Sequence, residues 1–154
     1  MNANSLAKPL VVLPGEGQIV RAFGDEVLFH LTGEQTNGSL VMFTTHTPPG
    51  GGPPPHRHAN EDEWWLVQEG TVSFFIDGQW QLVPVGSVVF APRGSVHTFR
   101  NDGSTPSRML ISASPSGFEI FFKRCAEEFS KPGEPAMERL IAIAGEHGIE
   151  FVKT

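Results

Sequence analysis

Three histidines and one glutamate are spaced in a way that suits a metal site. His56 and His58 are two residues apart, so both side chains point to the same face of an extended strand. Glu63 follows five residues after His58, and His97 lies 34 residues beyond Glu63. Imidazole nitrogens and a carboxylate oxygen together suit a divalent first-row metal ion. A lone His-x-His pair is weak evidence, because such pairs are common on protein surfaces, so the prediction depends on the surrounding sequence.

The chain around these residues has the pattern of many short strands joined by tight turns. Its 17 glycines and 13 prolines fall between short runs rich in β-branched and aromatic residues. Asp77-Gly78 is a strong hairpin signal, and Gly24-Asp25 is also expected to be a turn. Residues 48–55 (PPGGGPPP) are expected to form a loop, because proline cannot donate to a sheet. The expected strands are residues 18–23, 26–31, 39–47, 64–68, 71–76, 79–83, 86–91, 96–100 and 108–113.

Strands at this spacing indicate a sandwich or barrel, whereas the C-terminal part has helical periodicity. Helices are expected at 118–129 and 135–147, with Pro135 suited to a first helical turn. We therefore predict an all-β fold with a short C-terminal α-helical appendix, in a single domain over residues 1–154. Its barrel core spans about residues 18–113 and its helices about residues 117–147.

The composition narrows the classes of partner. A net charge of −6 and a pI near 5.4 argue against nucleic acid, and no cluster of basic residues exists to bind anionic lipid. No apolar run approaches the roughly 20 residues that a membrane span needs, and the first ten residues lack a secretory-signal pattern. The single cysteine, Cys125, cannot form an intrachain disulfide, which fits a reducing compartment. We therefore expect a cytoplasmic protein that binds small molecules, metal ions or other proteins.

Glycine, proline and asparagine residues frame the candidate ligands in two motifs. The first reads G-x5-H-x-H-x4-E-x6-G from Gly50 to Gly70, and the second reads G-x5-P-x-G-x2-H-x3-N from Gly86 to Asn101. Fifteen residues separate the two motifs. In both motifs and in their spacing the sequence resembles the cupin family, over roughly residues 39–113. The helical tail that begins at Gly117 adds a resemblance to single-domain cupins of the quercetin dioxygenase type.

The resemblance implies a double-stranded β-helix, the jelly-roll barrel of the cupins. Within it, His56, His58, Glu63 and His97 would meet at one divalent transition metal ion, which could be Fe, Mn, Ni, Co, Cu or Zn. No other cofactor is expected. Four protein ligands on an octahedral metal leave two positions for water, substrate or dioxygen. The other histidines, His30, His46 and His147, are expected to be ordinary solvated or hydrogen-bonded side chains.

The residues expected to face the barrel interior are apolar, and no lysine or arginine falls among them. Such a pocket suits a neutral aromatic or enolic small molecule, with the metal as its principal polar anchor. The tail helix around residues 118–122 either closes the barrel mouth or packs on the outer sheet. The expected interior residues are Phe43 or Met42, Trp65, Val67, Phe90, Phe99, Met109 and Ile111.

Three functions are compatible with these features. The first is a dioxygenase that cleaves a flavonol-like substrate, in which Glu63 is both a metal ligand and the base that accepts the hydroxyl proton. The second is a non-redox, metal-dependent isomerase or lyase that acts on a small polyol or keto compound. The third is a small-molecule-binding or sensing module without turnover. Exposed strand edges and the apolar stretch 10–13 further predict a homodimer.

Overall fold

The computed structural model describes residues 7–153. Residues 1–6, which belong to the segment that was searched for a secretory signal, and residue 154, the end of the predicted domain, lie outside the described residues. Mostly short strands are followed by two helices and a final short strand. The elements are β1 Gln18–Ala22, β2 Asp25–Leu31, β3 Val41–Thr47, β4 His56–His58, β5 Asp62–Glu69, β6 Val72–Ile76, β7 Gln79–Val83, β8 Val88–Ala91, β9 Thr98–Asn101, β10 Ser107–Ser114, α1 Phe118–Phe129, α2 Met137–Glu146 and β11 Ile149–Phe151.

The strands form two walls of a barrel. One wall is a six-stranded sheet in the order β1-β2-β3-β10-β5-β8. The other wall combines the three-stranded sheet β7-β6-β9 with the two-stranded sheet β11-β4. His56 and His97 form an isolated antiparallel bridge that connects these two smaller sheets. The predicted all-β fold with a helical appendix is therefore confirmed.

Alternating side chains fill the space between the walls. Along β5, Glu63, Trp65 and Val67 are buried whereas Trp64 and Leu66 are only partly so, as predicted. Phe90 contradicts its prediction, because its side chain points outward and is 56% exposed. The residues on either side of Phe90 in strand β8 point inward instead. The other predicted interior residues are buried, with Phe43 rather than Met42 in the inner position: Trp65, Val67, Phe99, Met109 and Ile111.

The element bounds differ from the predicted ones at a few places. The turn of the first hairpin lies at Phe23-Gly24, one residue earlier than predicted, and Asp25 is the first residue of β2. The second helix begins at Met137, so Pro135 precedes it. The short strand β11 was not predicted; it pairs with β4, where Ile149 lies opposite His58. The stretch 10–13 forms no strand and is largely exposed.

Helix α1 closes one end of the barrel. Its Phe118 and Phe122 rings pack against the ring of Phe43, with centroids 5.7 Å away in both cases. Phe122 also contacts Phe29 at 6.0 Å. Of the two predicted positions for the tail helix, the structure therefore shows the one at the barrel mouth. No helix among the described residues is long and apolar enough to cross a membrane.

Candidate metal centre

The fold brings together all four residues that the spacing singled out. His56 and His58 are the first and last residues of β4, Glu63 is the second residue of β5, and His97 directly precedes β9. One nitrogen or oxygen atom from each of the four lies within 4.8 Å of the others. All four side chains are buried, with at most 8% of any residue exposed. We call these four residues the quartet.

Backbone hydrogen bonds hold the quartet's strands in register. His56 and His97 each donate their backbone N–H to the other's carbonyl, at 3.1 and 2.9 Å. The N–H of Gly94 donates to the carbonyl of His58 at 2.7 Å, so the turn of the second motif is tied to the histidine strand of the first. Gly94 has a φ of 83°, a conformation that glycine adopts without strain. The motif glycine therefore positions a ligand strand from the other motif.

Asn101, the last residue of the second motif, ties that motif to the loop that precedes the histidine strand. Its side-chain amide donates to the carbonyl of Thr47 at 2.9 Å and to that of Thr105 at 2.8 Å. Its backbone carbonyl accepts from Gly50 at 2.8 Å. The loop 48–55 is thereby fixed at the end of β3, next to the strand that carries the two histidines.

Each histidine of the quartet has an acceptor at its Nδ1 atom. His56 Nδ1 lies 2.8 Å from the carbonyl of Pro54, and His97 Nδ1 lies 3.0 Å from that of Ser95. His58 Nδ1 lies 3.3 Å from Oε2 of Glu61. Because a carbonyl oxygen only accepts, Nδ1 carries the proton in His56 and His97, and the Nε2 lone pair is left to face the centre. Glu61 imposes the same orientation on His58.

The carboxylate of Glu63 faces two of these Nε2 atoms. Its Oε2 lies 3.2 Å from Nε2 of both His58 and His97. The Nε2 atom of His58 is buried and makes no hydrogen bond within residues 7–153 despite this distance. A carboxylate oxygen and neutral imidazole lone pairs repel each other unless a cation or a proton lies between them. The buried His-His-Glu-His cluster is therefore compatible with a divalent metal ion.

The pKa values of the quartet residues reflect their burial and their charged neighbours. Burial lowers the pKa of His58, but its close contacts with Glu61 and Glu63 and the charges of these two carboxylates outweigh burial and raise the pKa to about 9. Burial lowers the pKa of His56 to about 3, helped by the charges of His97 and His58. Burial raises the pKa of Glu63, yet its contacts with His58 and His97 bring it down to about 2. The centre therefore holds positive charge beside an ionised carboxylate.

The quartet opens onto a cavity of about 50 Å³, which is room for about four water molecules. Phe118 of α1 stands over the quartet, with its ring 5.0 Å from that of His58. No lysine or arginine lines this cavity among the described residues, as predicted. Its lining is mainly aromatic and aliphatic, with four polar residues: Asp25, Thr45, His56 and Glu63.

The remaining histidines stay away from the centre. His46 is exposed on β3, His30 contacts the Thr44 hydroxyl at 2.7 Å, and His147 follows α2. Cys125 is fully buried in α1, and burial raises the pKa of its thiol to about 12, which fits a packing role.

The structure also shows site residues that the sequence analysis missed. Glu61 orients His58, and Asp25 and Thr45 line the cavity. Asp25, Val27 and Phe29 occupy alternate positions of β2, so all three face the interior. This alternation was overlooked because Asp25 was predicted to lie in a turn with Gly24.

Comparisons with known proteins agree with this architecture. A cupin domain model matches residues 43–112. Quercetin 2,3-dioxygenase of Bacillus subtilis (strain 168) is 27% identical over 142 residues, which cover 89% of this chain and 41% of that protein. The chain therefore spans less than half the length of this curated relative.

Two solved structures share the fold across nearly their whole length. A predicted oxalate decarboxylase from Thermotoga maritima superposes with a TM-score of 0.64 at 23% identity, covering 69% of this chain and 99% of the other. KdgF from Halomonas sp. gives a TM-score of 0.65 at 16% identity, covering 73% and 99%. Residues 43–112 therefore match the cupin domain, and the fold of the described residues is the double-stranded β-helix that these structures share.

Proposed function

We propose that the protein is a metal-dependent dioxygenase that cleaves a small aromatic or enolic substrate of the flavonol type. The observation that carries this proposal is the quartet at the wall of an apolar, aromatic cavity without basic residues. Such a cavity suits a neutral substrate anchored by a metal rather than a phosphate or carboxylate. The relative named quercetin 2,3-dioxygenase supports the same reaction class.

His56, His58, Glu63 and His97 are the proposed ligands of one divalent ion. Three imidazoles and a carboxylate accept Fe, Mn, Ni, Co, Cu or Zn. A divalent ion bound there supplies Lewis acidity that favours ionisation of a substrate hydroxyl, together with open positions for substrate and dioxygen. The carbonyls of Pro54 and Ser95 keep the Nε2 lone pairs of two histidines directed at this point.

Glu63 is the proposed base. In the metal-free site His58 and His97 lower its pKa to about 2, so the carboxylate is ionised, and a bound cation would keep it ionised. Oε2 is occupied by those two contacts, which leaves Oε1 to accept the proton of the substrate hydroxyl. The aromatic wall around it excludes water, which favours reaction of the ionised substrate with dioxygen over reprotonation by solvent.

Oxygen uptake tests this proposal. Protein reconstituted with Fe(II), Mn, Ni or Co is expected to consume oxygen with flavonols or small enediols, and Glu63→Gln is expected to lower the rate by about 10²- to 10⁴-fold. Glu69→Gln is the matched control, because Glu69 ends the same strand but is exposed and paired with Arg108. Absence of uptake with every metal and substrate would reject the dioxygenase.

A second candidate function is favoured by the size of the cavity. About 50 Å³ is small for a flavonol, whereas a small enediol or keto compound needs less displacement of α1. The quartet would then support an isomerase or lyase reaction in which Glu63 moves a proton without oxygen. Deuterium exchange into such a compound under anaerobic conditions identifies this function. Retention of an unchanged small molecule after incubation with metal and oxygen identifies a binding or sensing module instead.

We propose that two copies associate through the outer face of the six-stranded sheet. Apolar side chains cross this face from strand to strand, and Val88 and Phe90 of edge strand β8 are more than half exposed, whereas monomers rarely expose large continuous apolar patches. Light scattering is expected to show a homodimer, and Phe90→Glu a monomer; a monomeric wild type would overturn this. The apolar residues are Ile19, Leu28, Met42, Trp64, Leu66, Val88, Phe90 and Leu110.

The cytoplasm is the proposed compartment, and residues 1–154 the proposed single domain. A lone, buried cysteine suits a reducing environment. Fractionation of cells that express the tagged protein tests the compartment.

A further inference from the structure

Strands β2 and β3 carry three buried polar side chains, each with an oxygen atom that makes no hydrogen bond of good geometry within residues 7–153. Asp25 is 8% exposed, Thr45 is 2% exposed and Thr47 is fully buried. Within residues 7–153, neither Oδ1 of Asp25 nor the two threonine hydroxyls form a hydrogen bond of good geometry. We call these three residues the β2–β3 polar cluster. Each unsatisfied buried group costs about 1–3 kcal/mol of stability, so three of them on two adjacent strands point to a ligand.

The surroundings make the cluster unusual. Asp25 continues an inward-facing series with Val27 and Phe29, and Thr45 follows Phe43 on the neighbouring strand. Burial in these surroundings raises the pKa of Asp25 to about 7. The nearby Thr47 hydroxyl lowers this pKa, but by less than burial raises it. Valine or alanine at these positions would continue the apolar pattern at no such cost.

The cluster shares its cavity with the quartet. Asp25 and Thr45 line the same cavity as His56 and Glu63, but they reach it from different strands. In the six-stranded sheet, β10 lies between the β5 strand of Glu63 and the β3 strand of Thr45. Asp25 also borders a groove on the protein surface that is lined by Phe129 and His46. A molecule held at the quartet therefore shares the cavity with Asp25 and Thr45.

We propose that Asp25 and Thr45 form a second binding point, which takes a hydroxyl group of the substrate that the quartet anchors. A hydroxyl group donates to the Asp25 carboxyl and accepts from the Thr45 hydroxyl, so it satisfies both. Above about pH 7, where Asp25 is ionised, a carbonyl group leaves its carboxylate without a donor, and an ammonium group gives Thr45 nothing to donate to. Thr47 lies beside Asp25, close enough for its hydroxyl to favour the ionised carboxylate. This inference rests on the proposed function only in that the same molecule reaches the metal.

Three catechols that differ in one substituent test the second binding point. Protein loaded with Zn²⁺ is titrated without oxygen with 4-methylcatechol, 4-(hydroxymethyl)catechol and 4-(aminomethyl)catechol. The wild type is expected to bind the hydroxymethyl compound about tenfold more tightly than the methyl compound, because two hydrogen bonds replace two unsatisfied groups. Thr45→Val is expected to remove most of this preference, and so is Asp25→Leu, while affinity for 4-methylcatechol stays within about twofold.

Thr44→Val is the matched control, because Thr44 directly precedes Thr45 on β3 and contacts His30 instead of the cavity. It is expected to leave the preference unchanged. A thermal melt separates binding from folding: Thr45→Val is expected to raise Tm, since it removes an unsatisfied buried hydroxyl. No preference in the wild type, a preference for the aminomethyl compound, or no binding of any catechol overturns the inference. A tenfold preference without any oxygen uptake leaves it standing and rejects only the dioxygenase.

Discussion

Two groups of buried polar side chains face one cavity, and they are built in opposite ways. In the quartet, each imidazole has an acceptor for its Nδ1 atom, and the Nε2 atoms and the Glu63 carboxylate converge on one point. In the β2–β3 polar cluster, three oxygen atoms are buried with no such support. The side chains of the quartet are therefore held in place by the protein itself. In our proposal, those of the cluster obtain their hydrogen bonds from the bound substrate.

The difference assigns separate tasks to the two groups of side chains. Supporting contacts hold metal ligands in place, because coordination geometry tolerates little displacement. Side chains that bind a substrate hydroxyl instead need donors and acceptors that are free before binding. While such buried groups remain unpaired, they lower the stability of the folded protein. Substitutions should therefore act on metal affinity in the quartet and on stability in the cluster.

The largest expected effect is in the quartet. His58→Ala is expected to weaken metal binding by about 1,000-fold or more, since loss of a supporting contact alone costs about 10- to 100-fold. Calorimetric titration with Co²⁺ or Zn²⁺ measures it. His46→Ala removes an exposed histidine outside the quartet and is expected to leave the affinity unchanged. Equal affinities in both variants would show that the quartet is not the metal site.

In the cluster, Asp25→Asn is expected to stabilise the metal-free protein at high pH. Burial raises the pKa of Asp25 to about 7 in the folded state, from 3.8 for an ordinary aspartate. The favourable contribution of the protonated carboxyl is complete below about pH 4 and is lost as the pH rises through about 7. Asparagine does not titrate, so the variant should match the wild type near pH 4 and exceed it at pH 8, by an amount on the order of 2–4 kcal/mol.

Thermal melts at the two pH values measure this difference, and Asp62→Asn gives the contrast. The Arg93 guanidinium beside the exposed Asp62 lowers its pKa, so that this substitution should lower stability at neutral pH rather than raise it. A difference between Asp25→Asn and wild type that does not change with pH would show that Asp25 is not buried as described.

A smaller effect concerns the pH dependence of metal binding. Because Glu61 and Glu63 raise the pKa of His58 to about 9, a metal ion must displace a proton from His58 below that pH. Affinity for Co²⁺ is expected to rise up to about tenfold per pH unit between pH 6.5 and 8.5. Glu61→Gln removes one of the two charges and should make this dependence shallower. A wild-type affinity that is constant over this range would contradict the protonated state of His58.

The smallest effect is expected on the outside of the ligand strand. Arg57 lies between His56 and His58 but points outward and pairs with Glu150 on β11, with both side chains about half exposed. Arg57→Ala should cost at most about 1 kcal/mol of stability and leave metal affinity unchanged. A clear loss of metal affinity in this variant would show that the β4–β11 contact, and not only the Nδ1 acceptors, organises the quartet.

The quartet was predictable because its residue types are uncommon in a barrel interior and their spacing is framed by glycines. The cluster was not, since Asp25 follows a glycine and has the local signature of a turn, and its burial depends on the register of β2. Phe90 was placed on the wrong face for a different reason. All four residues of β8 are apolar, so no polar side chain marks the solvent side. Only pairing of Trp64 with Phe90, opposite each other on the outer face, fixes the orientation of that strand.

Strand β11 has a consequence for the order of events during synthesis. Arg57 and Glu150, which join β4 to β11, are 93 residues apart in the chain. At about 5–20 residues per second, the ribosome makes the histidine strand several seconds before the strand that covers it. During that interval β4 lacks β11, the strand with which it forms a sheet in the described part of the chain. We therefore expect the metal ion to bind only after β11 has emerged from the ribosome and has paired with β4.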